Sequence, residues 1–163
     1  MAMNDTTTGI WLTEEGFKTL QHELEMLTTI KRPEIADRIR ASQEHGEFSE
    51  DNHELDEVKF EQAIVEGRIG ELKTIFGTAQ VLELDMIPTD HVGMGTLVTL
   101  EDCDFGDEFT VRMVTSMEAD PNKDLVSNES PLGESLYGAS VGDVVTVQAP
   151  DGIRKYKVKG LTK

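Results

Sequence analysis

A single cysteine, Cys103, stands in 163 residues, so no internal disulfide can form. A chain held together without such bridges suits a reducing cytosol. Long apolar runs are missing too. No stretch approaches the roughly 18 consecutive apolar residues that span a bilayer, and residues 1–10 have neither the basic start nor the apolar run of a signal peptide. Positive charge is scarce: 15 Lys and Arg face 32 Asp and Glu, a net charge of −17. Neutralising phosphates requires Lys and Arg, which argues against a general affinity for nucleic acid. The same imbalance steers the chain toward a basic surface or a cation. The chain is expected to be soluble and cytoplasmic, with one domain or two small ones of modest individual stability.

The first 77 residues carry helical periodicity. Thr13 is an N-cap candidate, with Glu14 and Glu15 placed to complement the helix dipole. Phe17, Leu20, Leu24 and Leu27 follow at spacings of 3, 4 and 3, the repeat of a coiled-coil seam. Pro33 should kink this helix or start a new one, after which Ile35 and Ile39 continue the apolar face. A second stripe, Leu55, Val58, Gln62, Val65, Ile69, Leu72 and Phe76, alternates spacings of 3 and 4, and Gly77 is placed to end it as a C′ residue. Two stripes joined by a short turn pack antiparallel, giving a rod of roughly 40 to 50 Å at 1.5 Å per residue.

Residues 44–57 put seven carboxylates around Gly46, where the two helical patterns meet. Glu47, Glu50 and Asp51 therefore belong at the tip of the hairpin, where acids on a rod can reach into another molecule's cavity. Beyond Gly77 come short strand-like runs at 80–84, 95–100, 107–115, 143–148 and 153–158, mostly separated by Gly, Pro, Asn or Asp as antiparallel hairpins require. Ser130-Pro131 opens a short helix to Leu136, with serine as cap and proline at the first helical position. The expected fold class is α+β: a coiled-coil hairpin over 1–79, then a small antiparallel β-sheet domain with one short helix over 80–163.

Several motifs together resemble the Gre family of bacterial transcript-cleavage factors over essentially the whole chain. In the hairpin they are Leu12-Thr13-Glu14-Glu15-Gly16, Lys31-Arg32-Pro33-Glu34-Ile35, His45-Gly46-Glu47-Phe48-Ser49-Glu50 and Glu66-Gly67-Arg68-Ile69. In the second half, Val126-Ser127-Asn128-Glu129-Ser130-Pro131-Leu132-Gly133 is similar to the family's SxxSPxG turn, and Val141-Gly142-Asp143 to its xGD before a strand. The resemblance implies an FKBP-like second domain that docks on RNA polymerase at its secondary channel, while the coiled coil projects inward. It implies that Glu47 and Glu50 help hold a second Mg²⁺ shared with the polymerase active site, none being bound by the chain alone. It also implies that backtracked RNA is then hydrolysed. The chain would not be a nuclease by itself, since the polymerase supplies the tightly bound metal. A basic patch of Lys31, Arg32, Arg38 and Arg40 would contact the nascent RNA 3′ segment.

The chemistry fits that implication on its own terms. Two-metal phosphodiester hydrolysis clamps the attacking and leaving oxygens between ions about 3.5 to 4 Å apart. Mg²⁺ takes hard oxygen ligands and keeps several waters, so one or two added carboxylates suffice to retain a weakly held ion, and a carboxylate can also orient a water. Glu47 and Glu50 stand at the two acidic family positions, and Ser49 and Asn52 match polar neighbours. The chain departs from the pattern twice: Asp51 is an extra residue between Gly46 and Glu66, and the first acid is Glu where the family commonly has Asp. Asp51 is thus a further candidate ligand.

Each feature also has a plainer reading. Acids collect at helix starts for the sake of the dipole alone. His45 and His53 flank the tip, but a flexible tip lacks the closed geometry usual for Zn²⁺. The basic patch can pair with nearby acids such as Glu34. Arg154, Lys155, Lys157 and Lys159 on the last strand suit protection of a sheet edge, and Gly133, Gly138 and Gly142 suit turns, since no Lys-Ser or Lys-Thr follows them. Two alternatives to cleavage stand beside it. One is a cleavage-inactive regulator occupying the same channel. The other is an FKBP-like peptide-binding or prolyl-isomerase module, thinly supported because residues 80–163 offer Phe105, Phe109 and Tyr137 but no tryptophan, Trp11 lying before the hairpin.

Overall fold

The computed structural model describes residues 9–46 and 53–163, with His45 and Gly46 described by backbone alone. Two compact units are present: Phe17–Ala79, the stalk unit, and a β unit that joins residues 9–16 to Gln80–Lys163. The stalk unit ends at Ala79, and residues 9–16 belong with the β unit. The reason is pairing: β1 (Ile10–Leu12) forms a two-stranded sheet with β2 (Ala79–Val81), and Leu82 N donates to Leu12 O at 2.8 Å.

In the stalk unit, α1 (Glu14–Met26) passes through a π-helical stretch, Leu27–Lys31, into α2 (Arg32–Gly46). The backbone stays right-handed helical at Met26 and Arg32, so the arm is continuous. Pro33 brings no N–H to the ladder and its ring crowds the preceding turn. A wider turn of the π type just before it relieves both problems. The hydroxyls of Thr28 and Thr29 donate to Leu24 O and Glu25 O at 2.9 and 2.7 Å within the same stretch.

The returning arm, α3, runs His53–Thr78, about 39 Å at 1.5 Å per residue. Ile35, Val58, Val65 and Ile69 form its buried seam with Leu24, Leu27 and Ile39 packed against them. Phe17 meets Phe76 edge to face at 5.2 Å. Two expectations fail here. Gln62 is exposed while Ile75 is buried, because a 3.6-residue turn drifts relative to a strict heptad stripe. Gly77 lies within α3 and has no left-handed φ; the chain enters β2 directly at Ala79, so no left-handed cap is needed.

The β unit holds a five-stranded sheet in the order β5-β4-β3-β7-β6, with β3 Leu97–Asp102, β4 Glu108–Val114, β5 Leu125–Ser127, β6 Val144–Ala149 and β7 Gly152–Thr162. Most neighbours are antiparallel, as expected, but β5 pairs parallel with β4, making the sheet mixed. The return is made by residues 115–124, which include a tight turn at Pro121–Lys123 and end at Asp124 with φ 57°. Because β7 is flanked by both β3 and β6, its cations do not guard an edge. Lys159 instead reaches Glu101 at 3.3 Å and Arg154 reaches Asp151 at 2.7 Å. Val92, Val98, Leu100, Val111, Met113, Leu136 and Val158 make the core.

Leu136 enters that core from α4 (Pro131–Leu136). Ser130 Oγ accepts from Gly133 N at 3.1 Å and donates to Ser127 O at 2.7 Å. A Cβ on Gly133 would stand 1.8 Å from Ser127 O, so this turn closes only around glycine.

Candidate functional site

The acids expected to carry chemistry fall, in sequence, between the two arms. α2 ends at Gly46 and α3 begins at His53, so Glu47, Glu50 and Asp51 connect them but lie outside the described residues, as do Ser49 and Asn52. On the far side, Glu54 and Asp56 occupy the first turn of α3, where the partial positive charge of the helix start favours acids. Among the described residues, no group of three or more His, Cys, Asp and Glu side chains is gathered as a metal site.

The basic patch is fully described, and each member faces a carboxylate. Arg32 makes a two-pronged contact with Glu66, Nε to Oε2 at 2.8 Å and Nη2 to Oε1 at 2.7 Å. Lys31 Nζ lies 2.9 Å from Glu61 Oε1, and Arg38 Nη1 donates to Glu61 Oε2 at 2.8 Å. Lys31 also lies 3.9 Å from Glu34, and Arg40 pairs with Asp37 on its own helix. Further along, Arg68 grips Glu23 with bonds of 2.7 and 2.9 Å. Most of these pairs cross from arm to arm instead of running along one helix. Their titration follows from them. Hydrogen bonds from Lys31 and then Arg38 hold Glu61 below the usual glutamate range, Arg32 does the same for Glu66, and Glu61 pushes Lys31 upward. Sequence reasoning passed over Glu61 and Glu66; their signal is that both flank seam positions, where acids meet the opposite arm's cations.

The β unit carries two features that the sequence left unassigned. Thr13 caps α1, its Oγ1 accepting from Gly16 N at 3.0 Å. Its backbone N–H in turn donates to Glu118 Oε2 at 3.1 Å, and its hydroxyl to the same carboxylate. A Cβ on Gly16 would overlap this carboxylate, so glycine makes room for it. Burial raises the Glu118 carboxyl above its ordinary value, with the Thr13 bonds opposing.

The second feature is a cavity of about 800 Å³ walled by Trp11, Met86, Met94, Met117 and Tyr137. Trp11 thus supplies the tryptophan that residues 80–163 lack. Tyr156, also passed over, packs edge to face on Phe109 at 5.6 Å. No local pattern announces either contact, because Trp11 and Tyr137 lie 126 residues apart and Phe109 and Tyr156 lie 47 apart.

Residues 10–81 match the family description "Transcription elongation factor, N-terminal", and residues 87–163 match "Transcription elongation factor, GreA/GreB, C-term". Transcription elongation factor GreA of Clostridium kluyveri is 43% identical over 152 residues, 93% of this chain and 95% of that protein. The chain belongs to the GreA/GreB family. GreA of Alkaliphilus oremlandii, another curated relative in this GreA/GreB family, is 45% identical over the same length, again 93% of this chain and 95% of its own. Among solved structures, GreA factor homolog 1 (Gfh1) of Thermus thermophilus is 29% identical with a TM-score of 0.44, covering 95% of this chain and 99% of its own. The paired stalk and mixed sheet of this GreA/GreB chain thus account for both matched stretches, and the acidic connection at 47–52 falls inside the first. Among the described residues, no helix is long and apolar enough to cross a membrane.

Proposed function

We propose that this transcription elongation factor binds bacterial RNA polymerase, enters its secondary channel tip first, and stimulates hydrolysis of backtracked RNA by the polymerase. The observation that carries this reading is the placement of Glu47, Glu50 and Asp51 in the six-residue connection between Gly46 and His53, at the end of two arms tied by a seam and cross-arm ion pairs. Acids on so tied a rod reach a site that a globular surface cannot.

The donor set fits Mg²⁺, since carboxylates are the hard oxygen ligands that ion takes. When bound, the ion supplies charge stabilisation at the attacking and leaving oxygens. Glu47 and Glu50 would hold it, with Asp51 as the added candidate, and a free carboxylate oxygen would orient the attacking water. The water oxygen bonds to phosphorus and the bond to the 3′ oxygen breaks. A new 3′ hydroxyl is left for synthesis, and a 5′ phosphate departs on the released fragment. Contact of Lys31, Arg32, Arg38 or Arg40 with that RNA would exchange a carboxylate partner for a phosphate. The chain acts as an activator of the polymerase's own nuclease activity, in the cytoplasm where the polymerase works.

Stalled, backtracked complexes supplied with Mg²⁺ and this protein test the reading. RNA shortening should accelerate, and E47A E50A should abolish the gain while leaving polymerase binding intact. The extra residue Asp51 favours one other reading, a channel-bound regulator without cleavage. Intact binding, unchanged RNA shortening and slowed nucleotide addition would select it.

A further inference from the structure

The first arm's own hydrogen-bond ladder changes step at Leu27–Lys31, just before Pro33. One carboxylate from the opposite arm spans that place. Glu61 holds Lys31 at 2.9 Å with one oxygen and Arg38 at 2.8 Å with the other. These cations are seven residues apart, about 10 Å along the helix, and lie on either side of Pro33. Arg32 adds its two-pronged grip on Glu66 one turn further along α3. Beyond Arg38 only eight residues of α2 remain before the acidic connection.

We propose that Glu61 is a positioning residue: by bridging Lys31 and Arg38 across the step in the first arm, it sets the rotation of α2 against α3 and so aims the tip carboxylates. Single exposed ion pairs contribute little to stability, so stability is not what this arrangement adds. Its product is phase. Buried apolar contacts resist separation of the arms, but Leu24, Leu27 and Ile39 are only half-buried around the seam, and smooth side chains of this kind tolerate rolling. A carboxylate fixed at both oxygens by cations two turns apart does not. The role in cleavage rests on the function proposed above; the bridge itself belongs to the free protein.

Two measurements on the full chain separate these levels. In the first, Cys103 is replaced by Ser, and spin labels are placed on cysteines at the exposed positions Gln43 and Asp56. The label-to-label distance distribution of the free protein should broaden in E61Q and narrow again in E61R K31E R38E, which reverses the charges. An unchanged distribution in E61Q overturns the proposal whatever the protein does to polymerase.

In the second, E61Q is titrated into backtracked complexes. The cleavage rate at saturation should fall about 3- to 10-fold, in keeping with the ~100-fold cost of an ~1 Å misplacement, while the half-saturating concentration stays constant. A shift in half-saturation without loss of the saturating rate overturns the positioning role and assigns Glu61 to docking. If the unsubstituted protein stimulates no cleavage, the proposed function fails, and the distance distributions still decide the bridge.

Discussion

In the stalk unit the buried side chains lie along one seam and charged pairs close its flanks; in the β unit a closed core is reached from every strand of a sheet. The cluster of Ile35, Val58, Val65 and Ile69 draws its neighbours from the two arms of the hairpin. Leu100 and Met113 sit among side chains from β3, β4, β7, α4 and the loop at Val92. A two-helix seam can relax after a deletion by letting the arms approach, whereas a cavity enclosed on all sides keeps its volume. The difference teaches that equal burial need not mean equal cost, since Ile69 and Leu100 are 2% and 0% exposed.

The largest effect expected from this contrast is a deletion in each core. Leu100→Ala should cost toward the upper end of about 2 to 5 kcal/mol, and Ile69→Ala toward the lower end. The single tryptophan belongs to the β unit, so its fluorescence follows that unit while far-UV circular dichroism follows the helices. Equal losses in the two melts would break the comparison. Next, Gly133→Ala forces a Cβ onto the backbone at Ser127 O and should cost about 3 kcal/mol. The loss should show in fluorescence and leave the helical signal in place. Smaller again is the loss of a cap: Ser130→Ala removes the bond to Gly133 N and should cost the β unit about 1 kcal/mol.

Acid should then act on the stalk's paired carboxyls and on Glu118 in opposite directions. Arg68 holds Glu23 below its ordinary 4.5, and Glu61 and Glu66 are lowered likewise by their cationic partners. Carboxyls lowered on folding contribute stability that is complete above their unfolded value and is lost as pH falls through the folded one. The stalk should therefore weaken below about pH 4.5. Burial raises Glu118 instead, so the folded β unit binds that proton more tightly than the unfolded chain. Its contribution is favourable at low pH and fades as pH rises from 4.5 through the raised value. Glu118→Gln should flatten that slope in the fluorescence melts; a slope that persists assigns it to another group. The smallest effect is Arg68→Gln, about 0.5 kcal/mol for a partly exposed pair. It should vanish near 1 M salt, where the screening length shrinks to about 3 Å.

The elements differ in legibility for a common reason. Both arms, the Thr13 and Ser130 caps and the turn at Gly142 are written in residues within a few positions of each other, and the structure shows all of them. Strand β5 was visible only as a motif, because three residues have too little pattern to read as a strand. The central place of β7 was misread as an edge, since alternating cations look alike in either position. The acidic connection was legible as composition and position. Its partners along the stalk, Glu61 and Glu66, were not, because a cation's choice between its own helix and the facing one depends on where the arms lie.

Periodicity by itself determined the two apolar stripes, their antiparallel return and the charge gathered between them, since helical spacing of 3 and 4 is a local geometric constraint. Tertiary structure alone decided that Trp11 lines a cavity with Tyr137, that Glu118 receives Thr13, and that Glu61 bridges Lys31 and Arg38. Those contacts join residues 23 to 126 positions apart in the chain, and no periodicity of a single element encodes which distant atoms will come within hydrogen-bond reach.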